Sequence, residues 1–258
     1  MLEDGAWASG SVTSVQRVGE TVRRPLGRWS SVVHPLLRHL QEVGFAGAPR
    51  FLGVDESGYE VLSLLPGEVA LRPWPDVLRD DAGVVAVAGW LRDYHTAVAD
   101  FRPPADAEWF VPDVRWEPGQ IVRHGDLGLW NSVWRDSQLV GFIDWDFAEP
   151  GPAIDDVAQL AWYAVPLRDK PRQQDCGFLT GAPVRRRLEL LCTTYGVDPD
   201  EVVTAVVSLQ ERECARLRRW GAEKVEPWST FLDRGDVESI EEDRSWLLRN
   251  GPALTPKA

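Results

Sequence analysis

The chain has 258 residues, of which 44% are hydrophobic and 26% charged, so it can bury the core of one large domain or of two lobes. Its net charge of −12 argues against nucleic acid and anionic membranes as partners and is compatible with a cationic substrate. Three widely spaced cysteines without a CxxC pair predict reduced thiols in a cytoplasmic protein. The acidic start is unlike a signal peptide, and every apolar run is shorter than a membrane span.

The N-terminal segment has the pattern of a β-hairpin followed by a helix. Residues 11–24 alternate between apolar and polar side chains around a Gly-Glu turn at 19–20, which predicts two antiparallel strands. The next periodic stretch predicts a helix over Val32–Val43, with Ser30 or Ser31 as its N-cap.

Two further strands are predicted before the first break in the pattern. They cover Phe51–Val54 and Tyr59–Leu65, and the segment Pro66–Glu68 then interrupts the alternation. We therefore predict a small β-rich lobe over residues 1–66 and a larger, mainly helical lobe over residues 67–258.

The rest of the chain combines helices with one embedded hairpin. Apolar spacing predicts a helix over Asp80–Ala99, and two strands, Ser132–Arg135 and Leu139–Asp144, flank a turn at 136–137. Four more helices are predicted, over Ile154–Ala164, Pro183–Tyr195, Pro199–Trp220 and Asp236–Arg249. The predicted class is α+β.

The segment HGDLGLWN and the later IDWD contain the side chains that carry chemistry. Phosphoryl transfer needs a carboxylate near the attacking hydroxyl and oxygen ligands for Mg²⁺ at the phosphates. Asp126 and Asn131 lie five residues apart on one loop, and the hairpin returns the chain so that Asp144 comes back to the same point. This set predicts a phosphotransferase site.

The same segments resemble the catalytic and metal-binding segments of the aminoglycoside phosphotransferase family, part of the kinase-like group that includes choline kinases. The family pattern H-G-D-x-x-x-x-N is matched by His124, Gly125, Asp126 and Asn131. The metal-binding Asp of the family falls on Asp144. The resemblance is specific from about residue 121 to residue 160, and it implies a two-lobed protein-kinase-like fold.

The resemblance also implies a role for each of these residues. Asp126 would orient the acceptor hydroxyl and take its proton, with ATP or GTP as phosphate donor. Asn131 and Asp144 would hold Mg²⁺. His124 and Asp156 would support the catalytic loop, and Asp155 is the alternative to Asp156.

In the N-terminal lobe, the family carries a basic residue that contacts phosphate. The first 169 residues contain no lysine, so Arg24 or Arg23 must take this place. Strand alternation puts Val22 and Arg24 on one face, which favours Arg24 at the phosphates and Val22 over the base. The backbone of Ser63 through Leu65 would read the base, and that of 10–13 would cover the phosphates.

The predicted helix departs from the family in one respect. Kinase-like folds pair the basic residue with a helical Glu, whereas His34 occupies roughly that place and Glu42 lies two turns later. A neutral His34 would hydrogen-bond Arg24 without neutralising it, which puts the usual ion pair in doubt.

The acceptor would face Asp126, and acidic or aromatic residues would line its site. We name Asp146, Glu149, Glu211 and Trp228 as candidates. An aminoglycoside needs several carboxylates, whereas a choline-like substrate needs an aromatic cage, and the composition favours neither.

Two other functions compete with a small-molecule O-phosphotransferase. One is a nucleotide-binding, kinase-like module with lost or weak catalysis, which the unusual Arg24 and His34 would favour. The other is a metal-dependent hydrolase using His124, Asp126 and Asp144, for which the chain lacks a second nearby histidine.

Overall fold

The structure is a computed structural model that describes Gly5, Trp7–Ser9 and residues 14–255. The chain forms two compact units, Met1–Ala70 with Trp90–Asp156, and Leu71–Gly89 with Val157–Ala258. The first unit contains the whole of the predicted N-terminal lobe and also the loop that carries Asp126. The assignment of nucleotide binding to residues 1–66, and of catalysis and acceptor binding to 67–258, stays a prediction.

A five-stranded antiparallel sheet lies in the first unit, in the order β1-β2-β3-β5-β4. Its strands are β1 Trp7–Ser9, β2 Ser14–Val18, β3 Thr21–Pro25, β4 Phe51–Val54 and β5 Tyr59–Ser63. The predicted hairpin is confirmed, and Gly19 turns between β2 and β3 with a φ of +58°. On β3, Val22 lies opposite Leu62 and Arg24 lies opposite Glu60, so one face carries all four side chains.

Helix α1, Ser30–Glu42, begins two residues earlier than predicted. The N-cap position is Trp29, and no side chain caps the helix, so the predicted serine cap is wrong. The Ser30 hydroxyl instead accepts the Gly27 backbone N–H at 3.1 Å, which uses its oxygen in the preceding turn. The helix ends as predicted, before Gly44, whose φ is +80°.

The embedded hairpin belongs to a second sheet in the first unit, in the order β6-β8-β9. Its strands are β6 Glu68–Val69, β8 Ser132–Arg135 and β9 Gln138–Phe142. Asp136 and Ser137 have φ angles of 52° and 60°, the conformation of a two-residue type I′ turn. The last predicted strand ends at Phe142, two residues early, because Asp144 takes the left-handed conformation.

A two-stranded antiparallel ribbon completes the β structure described. It pairs β7, Ile121–Arg123, with β10, Glu149–Gly151, and sets Arg123 opposite Glu149. The loop between β7 and β8 starts at His124 and ends in a short 3-10 turn, Leu129–Asn131.

The remaining helices confirm the predicted ones and add three short ones. They are α2 Asp76–Arg79, α3 Asp81–Val98, α4 Ala153–Ala164, α5 Lys170–Asp175, α6 Val184–Tyr195, α7 Pro199–Ala222, α8 Trp228–Asp233 and α9 Asp236–Leu254. The short helices α2, α5 and α8 are too brief to show a helical period in the sequence. Within the described residues, no helix has both the length and the apolar content that a bilayer crossing requires.

One buried arginine organises the second unit. The Arg187 guanidinium donates to the Ala164 carbonyl at 2.8 Å, at the end of α4, and to the Leu78 and Arg79 carbonyls at 2.7 and 2.9 Å, at the end of α2. Burial lowers the pKa of Arg187 to about 10, although Asp81 and Asp80 act in the opposite direction. A cation here satisfies carbonyls that helix ends leave without partners.

Candidate active site

The loop after β7 makes a turn that only glycine permits. Gly125 has a φ of +77°, and a Cβ at this position would lie 2.0 Å from the Phe147 carbonyl oxygen. This close approach fixes the backbone immediately before Asp126.

Asp126 and Asn131 lie in direct contact within this loop. The Asn131 side-chain N–H₂ donates to the Asp126 carboxylate at 2.8 Å and to the Asp126 backbone carbonyl at 3.0 Å. The Asn131 backbone carbonyl in turn accepts the Ile143 N–H at 2.9 Å, which ties the loop to the residue before Asp144. The structure therefore brings these three residues together.

Asp144 follows β9 with a φ of 63°, a left-handed conformation that is uncommon for a residue with a side chain. Its side chain is 38% exposed and has an oxygen 3.6 Å from an Arg24 Nη. Partial burial and the negative charges of Asp146 and Asp126 raise the pKa of Asp144 to about 7, against the opposing effect of Arg24. A cation beside this carboxylate would offset the repulsion between these negative charges.

Arg24, rather than Arg23, reaches this cluster. Its Nε donates to Glu60 at 2.7 Å, and an Nη donates to Asp146 in a buried ion pair. Burial lowers the pKa of Arg24, but the carboxylates of Asp146, Glu60 and Asp144 outweigh it and raise the pKa overall, so the guanidinium stays charged. Arg23 lies 3.3 Å from Asp55 instead.

Glu60 is the residue of this cluster that the sequence interpretation missed. It is 1% exposed, and its second oxygen lies 2.6 Å from His34 Nε2. The predicted hydrogen bond from His34 to Arg24 is therefore wrong, because Glu60 lies between the two side chains. The expected lack of a carboxylate partner for Arg24 is also corrected, since a neighbouring strand supplies it. A glutamate on the buried face of β5 was the available signal.

The loop is braced from behind by Asp156 of α4. Its carboxylate accepts the backbone N–H groups of His124 at 2.8 Å and Gly125 at 3.2 Å. It also lies 3.3 Å from His95 and 3.7 Å from Arg123. Burial alone would raise the pKa of Asp156, but His95 and Arg123 lower it below its usual value, so the brace is a carboxylate.

His124 is fully buried, and its Nδ1 accepts the Asp126 backbone N–H at 3.3 Å. Burial lowers the pKa of His124 to about 4, against the attraction of Asp156. The imidazole is therefore neutral near pH 7 and supports the backbone of the loop.

The predicted acceptor residues lie in both units. In the first, Asp146 is buried against Arg24, and Glu149 is buried in an ion pair with Arg123. In the second, Glu211 of α7 lies 3.3 Å from Arg244 at the surface, and Trp228 at the start of α8 is buried. Their roles stay predictions, and for Asp146 and Glu149 binding would require release from these arginines.

Some backbone N–H groups of the segment predicted to bind the nucleotide base already form hydrogen bonds within the protein. The Ser63 N–H donates to Arg50 at 2.9 Å and the Leu64 N–H donates to Glu20 at 2.9 Å, whereas Leu65 follows the sheet and is buried. The N–H groups of Ser63 and Leu64 are therefore already used, and the predicted role of residues 63–65 in reading the base stays a prediction. The predicted backbone cover at 10–13 lies outside the described residues.

The donor set fits Mg²⁺ bound together with phosphate better than a metal held by protein alone. Across the described residues, no group of three or more His, Cys, Asp or Glu side chains is arranged to hold a metal ion. Mg²⁺ typically takes one or two carboxylates plus substrate phosphates. Asp144 and the Asn131 amide oxygen supply that smaller set.

Comparison with known proteins finds relatives in both sequence and structure. Residues 108–191 match the model of the phosphotransferase enzyme family. A trifolitoxin immunity protein from Rhizobium leguminosarum bv. trifolii is 37% identical over 203 residues, which are 76% of this chain and 76% of that protein.

Two solved structures share the fold at low identity. The GDP complex of wild-type aminoglycoside 2'-phosphotransferase-IIIa aligns with a TM-score of 0.58 at 17% identity, over 95% of this chain and 93% of that one. A choline/ethanolamine kinase family protein from Mesorhizobium loti aligns with a TM-score of 0.56 at 13% identity, over 94% and 92%. The predicted α+β, kinase-like fold is confirmed.

Proposed function

Because this chain belongs to the phosphotransferase enzyme family, we propose that it moves the γ-phosphate of ATP or GTP to a hydroxyl of a small molecule. The observation that carries the proposal is the contact between Asp126 and Asn131 at 2.8 Å, beside Asp144. One proton acceptor and two oxygen ligands at one point are what phosphoryl transfer asks of a protein.

In the proposed reaction, the acceptor oxygen attacks the γ-phosphorus, and the bond from that phosphorus to the leaving nucleoside diphosphate breaks. The proton of the acceptor hydroxyl goes to the Asp126 carboxylate, and the products are a phosphate ester and the diphosphate. Asn131 holds the carboxylate in place through its amide N–H₂ group. Most of the rate enhancement would come from holding the hydroxyl and the phosphate in line, because phosphoryl transfer requires little covalent catalysis by the protein.

Asn131, through its amide oxygen, and Asp144 would hold Mg²⁺. Bound there, Mg²⁺ would supply positive charge that offsets the negative charge developing on the phosphates. The raised pKa of Asp144 supports this assignment, because a carboxylate crowded by other carboxylates favours a nearby cation.

Arg24 would contact the phosphates through the Nη that lies 3.6 Å from Asp144, since its Nε and its other Nη are engaged by Glu60 and Asp146. Val22, on the same face of β3, would cover the base. The backbone carbonyl of Ser63 and the backbone of Leu65 would read the edge of the base.

The acceptor class is proposed from the relatives and from charge. The curated relative is named for immunity to trifolitoxin, and solved structures of similar fold contain kanamycin or streptomycin. We propose a hydroxylated antibiotic or toxin as acceptor, modified for resistance or self-protection. The net charge of −12 suits a cationic one. The reaction would take place in the cytoplasm, which suits three free, buried cysteines.

A second function, nucleotide binding with lost or weak catalysis, is favoured by one observation. Arg24 is already bound to two buried carboxylates, Glu60 and Asp146, and nucleotide phosphates must compete with them. Such a module would bind nucleotide and Mg²⁺ without turnover.

The test is a screen of nucleotide consumption over aminoglycosides, other hydroxylated antibiotics, amino alcohols and sugars, with ATP and GTP each supplied with Mg²⁺. The proposal expects acceptor-dependent release of nucleoside diphosphate and a phosphorylated acceptor in the mass spectrum. Thermal stabilisation by nucleotide with Mg²⁺, but without product from any acceptor, would favour the binding module. Stabilisation by Zn²⁺ alone would favour a metal-dependent hydrolase.

A further inference from the structure

Glu60 of β5 joins two parts of the first unit that the sequence does not connect. One carboxylate oxygen accepts from Arg24 Nε at 2.7 Å, and the other lies 2.6 Å from His34 Nε2 of α1. At 1% exposure, both oxygens are shielded from water, so these two contacts account for a buried charge that would otherwise be costly.

We infer that Glu60 is a positioning residue for nucleotide binding, which orients the Arg24 guanidinium toward the phosphates. This inference rests on the proposed function. Glu60 takes the place of the helical glutamate of kinase-like folds, and α1 contributes His34 as the support of that carboxylate instead of contributing the carboxylate itself.

The geometry explains why Arg24 needs this partner. A lysine has one charged nitrogen, whereas an arginine has a planar fork whose orientation decides where its donors point. Glu60 holds Nε, and Asp146 holds one Nη, which leaves the other Nη turned toward Asp144 at 3.6 Å. Without the charge of Glu60, the attraction of Asp146 and Asp144 would draw the fork away from β5.

His34 is itself held in one orientation. Its ring stacks on Phe51 of β4 with ring centres 3.7 Å apart and planes at 17°, and the Arg38 guanidinium lies 4.7 Å from the centre of that phenyl ring. A stacked ring has little rotational freedom, so the His34 nitrogen stays directed at Glu60.

The experiment measures the dissociation constant of Mg²⁺-nucleotide and the melting temperature of the full chain. We expect Glu60→Gln, which keeps the size of the side chain and removes its charge, to weaken nucleotide binding about tenfold. The KM of the acceptor should not change. Glu56→Gln, an exposed glutamate in the turn before β5, is the matched control and should bind nucleotide as the wild type does.

A double-mutant cycle separates positioning from a general loss of structure. Glu60→Gln should cause no further loss of nucleotide affinity in an Arg24→Gln background, because the group that it orients is gone. An equal loss in both backgrounds, or wild-type affinity in Glu60→Gln, overturns the inference and leaves the proposed function standing. A wild-type protein that does not bind Mg²⁺-nucleotide overturns both.

A second variant covers the case in which Glu60→Gln does not fold. His34→Phe keeps a ring that stacks on Phe51 and removes only the nitrogen that holds Glu60. We expect it to weaken nucleotide binding about threefold with an unchanged acceptor KM. In that case, wild-type affinity in a folded His34→Phe protein would overturn the inference.

Discussion

The carboxylate of Asp156 accepts the backbone N–H of His124 at 2.8 Å, across 32 positions of sequence. It also accepts the N–H of Gly125 at 3.2 Å, so one side chain of α4 holds the loop on which Asp126 is mounted. The position of the proposed base therefore depends on a fully buried residue of α4.

We predict that Asp156→Asn lowers both stability and turnover. The substitution removes a buried charge opposite Arg123 and one acceptor of the loop, which should lower the free energy of unfolding by about 3 kcal/mol. The kcat should fall more than nucleotide affinity, because Asp126 would move while Arg24, the proposed phosphate contact, would stay in place. Urea unfolding and steady-state kinetics check this. Asp155→Asn is the matched control. Losses of stability and turnover as large as those in Asp156→Asn would contradict the role of Asp156 in holding the loop.

Asp126→Asn is expected to remove the proton acceptor while keeping the shape of the loop. Loss of a general base costs about 10²- to 10⁴-fold in rate, so kcat should fall by that factor. Nucleotide affinity should stay close to wild type, as measured by titration calorimetry with Mg²⁺-nucleotide. Asp136→Asn, in the exposed type I′ turn of the hairpin that follows this loop, should leave both quantities unchanged. Loss of nucleotide binding in Asp126→Asn, with Asp144→Asn unaffected, would reverse the assigned roles.

His124 is expected to make stability depend on pH. Its pKa of about 4 in the folded protein lies below the ordinary 6.5, so the unfolded chain binds a proton first as the pH falls. The contribution of the neutral ring is present above pH 6.5 and is lost between pH 6.5 and 4. By linkage, the loss from pH 7 to pH 4.5 is about 2.5 kcal/mol.

The measurement compares wild type with His124→Asn by urea unfolding at pH 7, 5.5 and 4.5. The comparison is needed because the raised pKa of Asp144 gives a trend of opposite sign, stabilising the folded state as the pH falls from 7. Asp144 is present in both proteins, so their difference isolates His124. A difference that does not change with pH would show that the ring is not buried in the neutral form.

Arg187→Met should lower stability without touching the proposed site. The variant leaves the carbonyls at the ends of α2 and α4 without their donor, which should lower the free energy of unfolding by about 3 kcal/mol. Nucleotide affinity at a temperature where the variant is folded should match wild type. Arg185→Met, on the exposed face of α6, is the control and should change stability by less than about 0.5 kcal/mol.

The sequence predicted the structure best in the loop from His124 to Asn131 and in the hairpin after it. These residues are close in the chain, and the glycine turn and strand alternation constrain them locally, so the sequence alone determined that Asp126, Asn131 and Asp144 would meet. Most helix boundaries were nearly right for the same reason. The exceptions are α1, which starts earlier where the Ser30 hydroxyl bonds backward, and α9, which runs to Leu254 and so past its predicted end at Arg249.

The tertiary structure alone decided which partners surround Arg24. Glu60 reaches it because β5 lies beside β3 in the sheet, and Asp146 reaches it from a turn 122 positions later. The spacing of residues along the chain does not reveal the order of strands in a sheet. The attraction between these charges also becomes strong only when burial removes water from around them. The sequence therefore determined which loop carries the proposed catalytic residues, while the order of strands in the sheet decided which carboxylates hold Arg24.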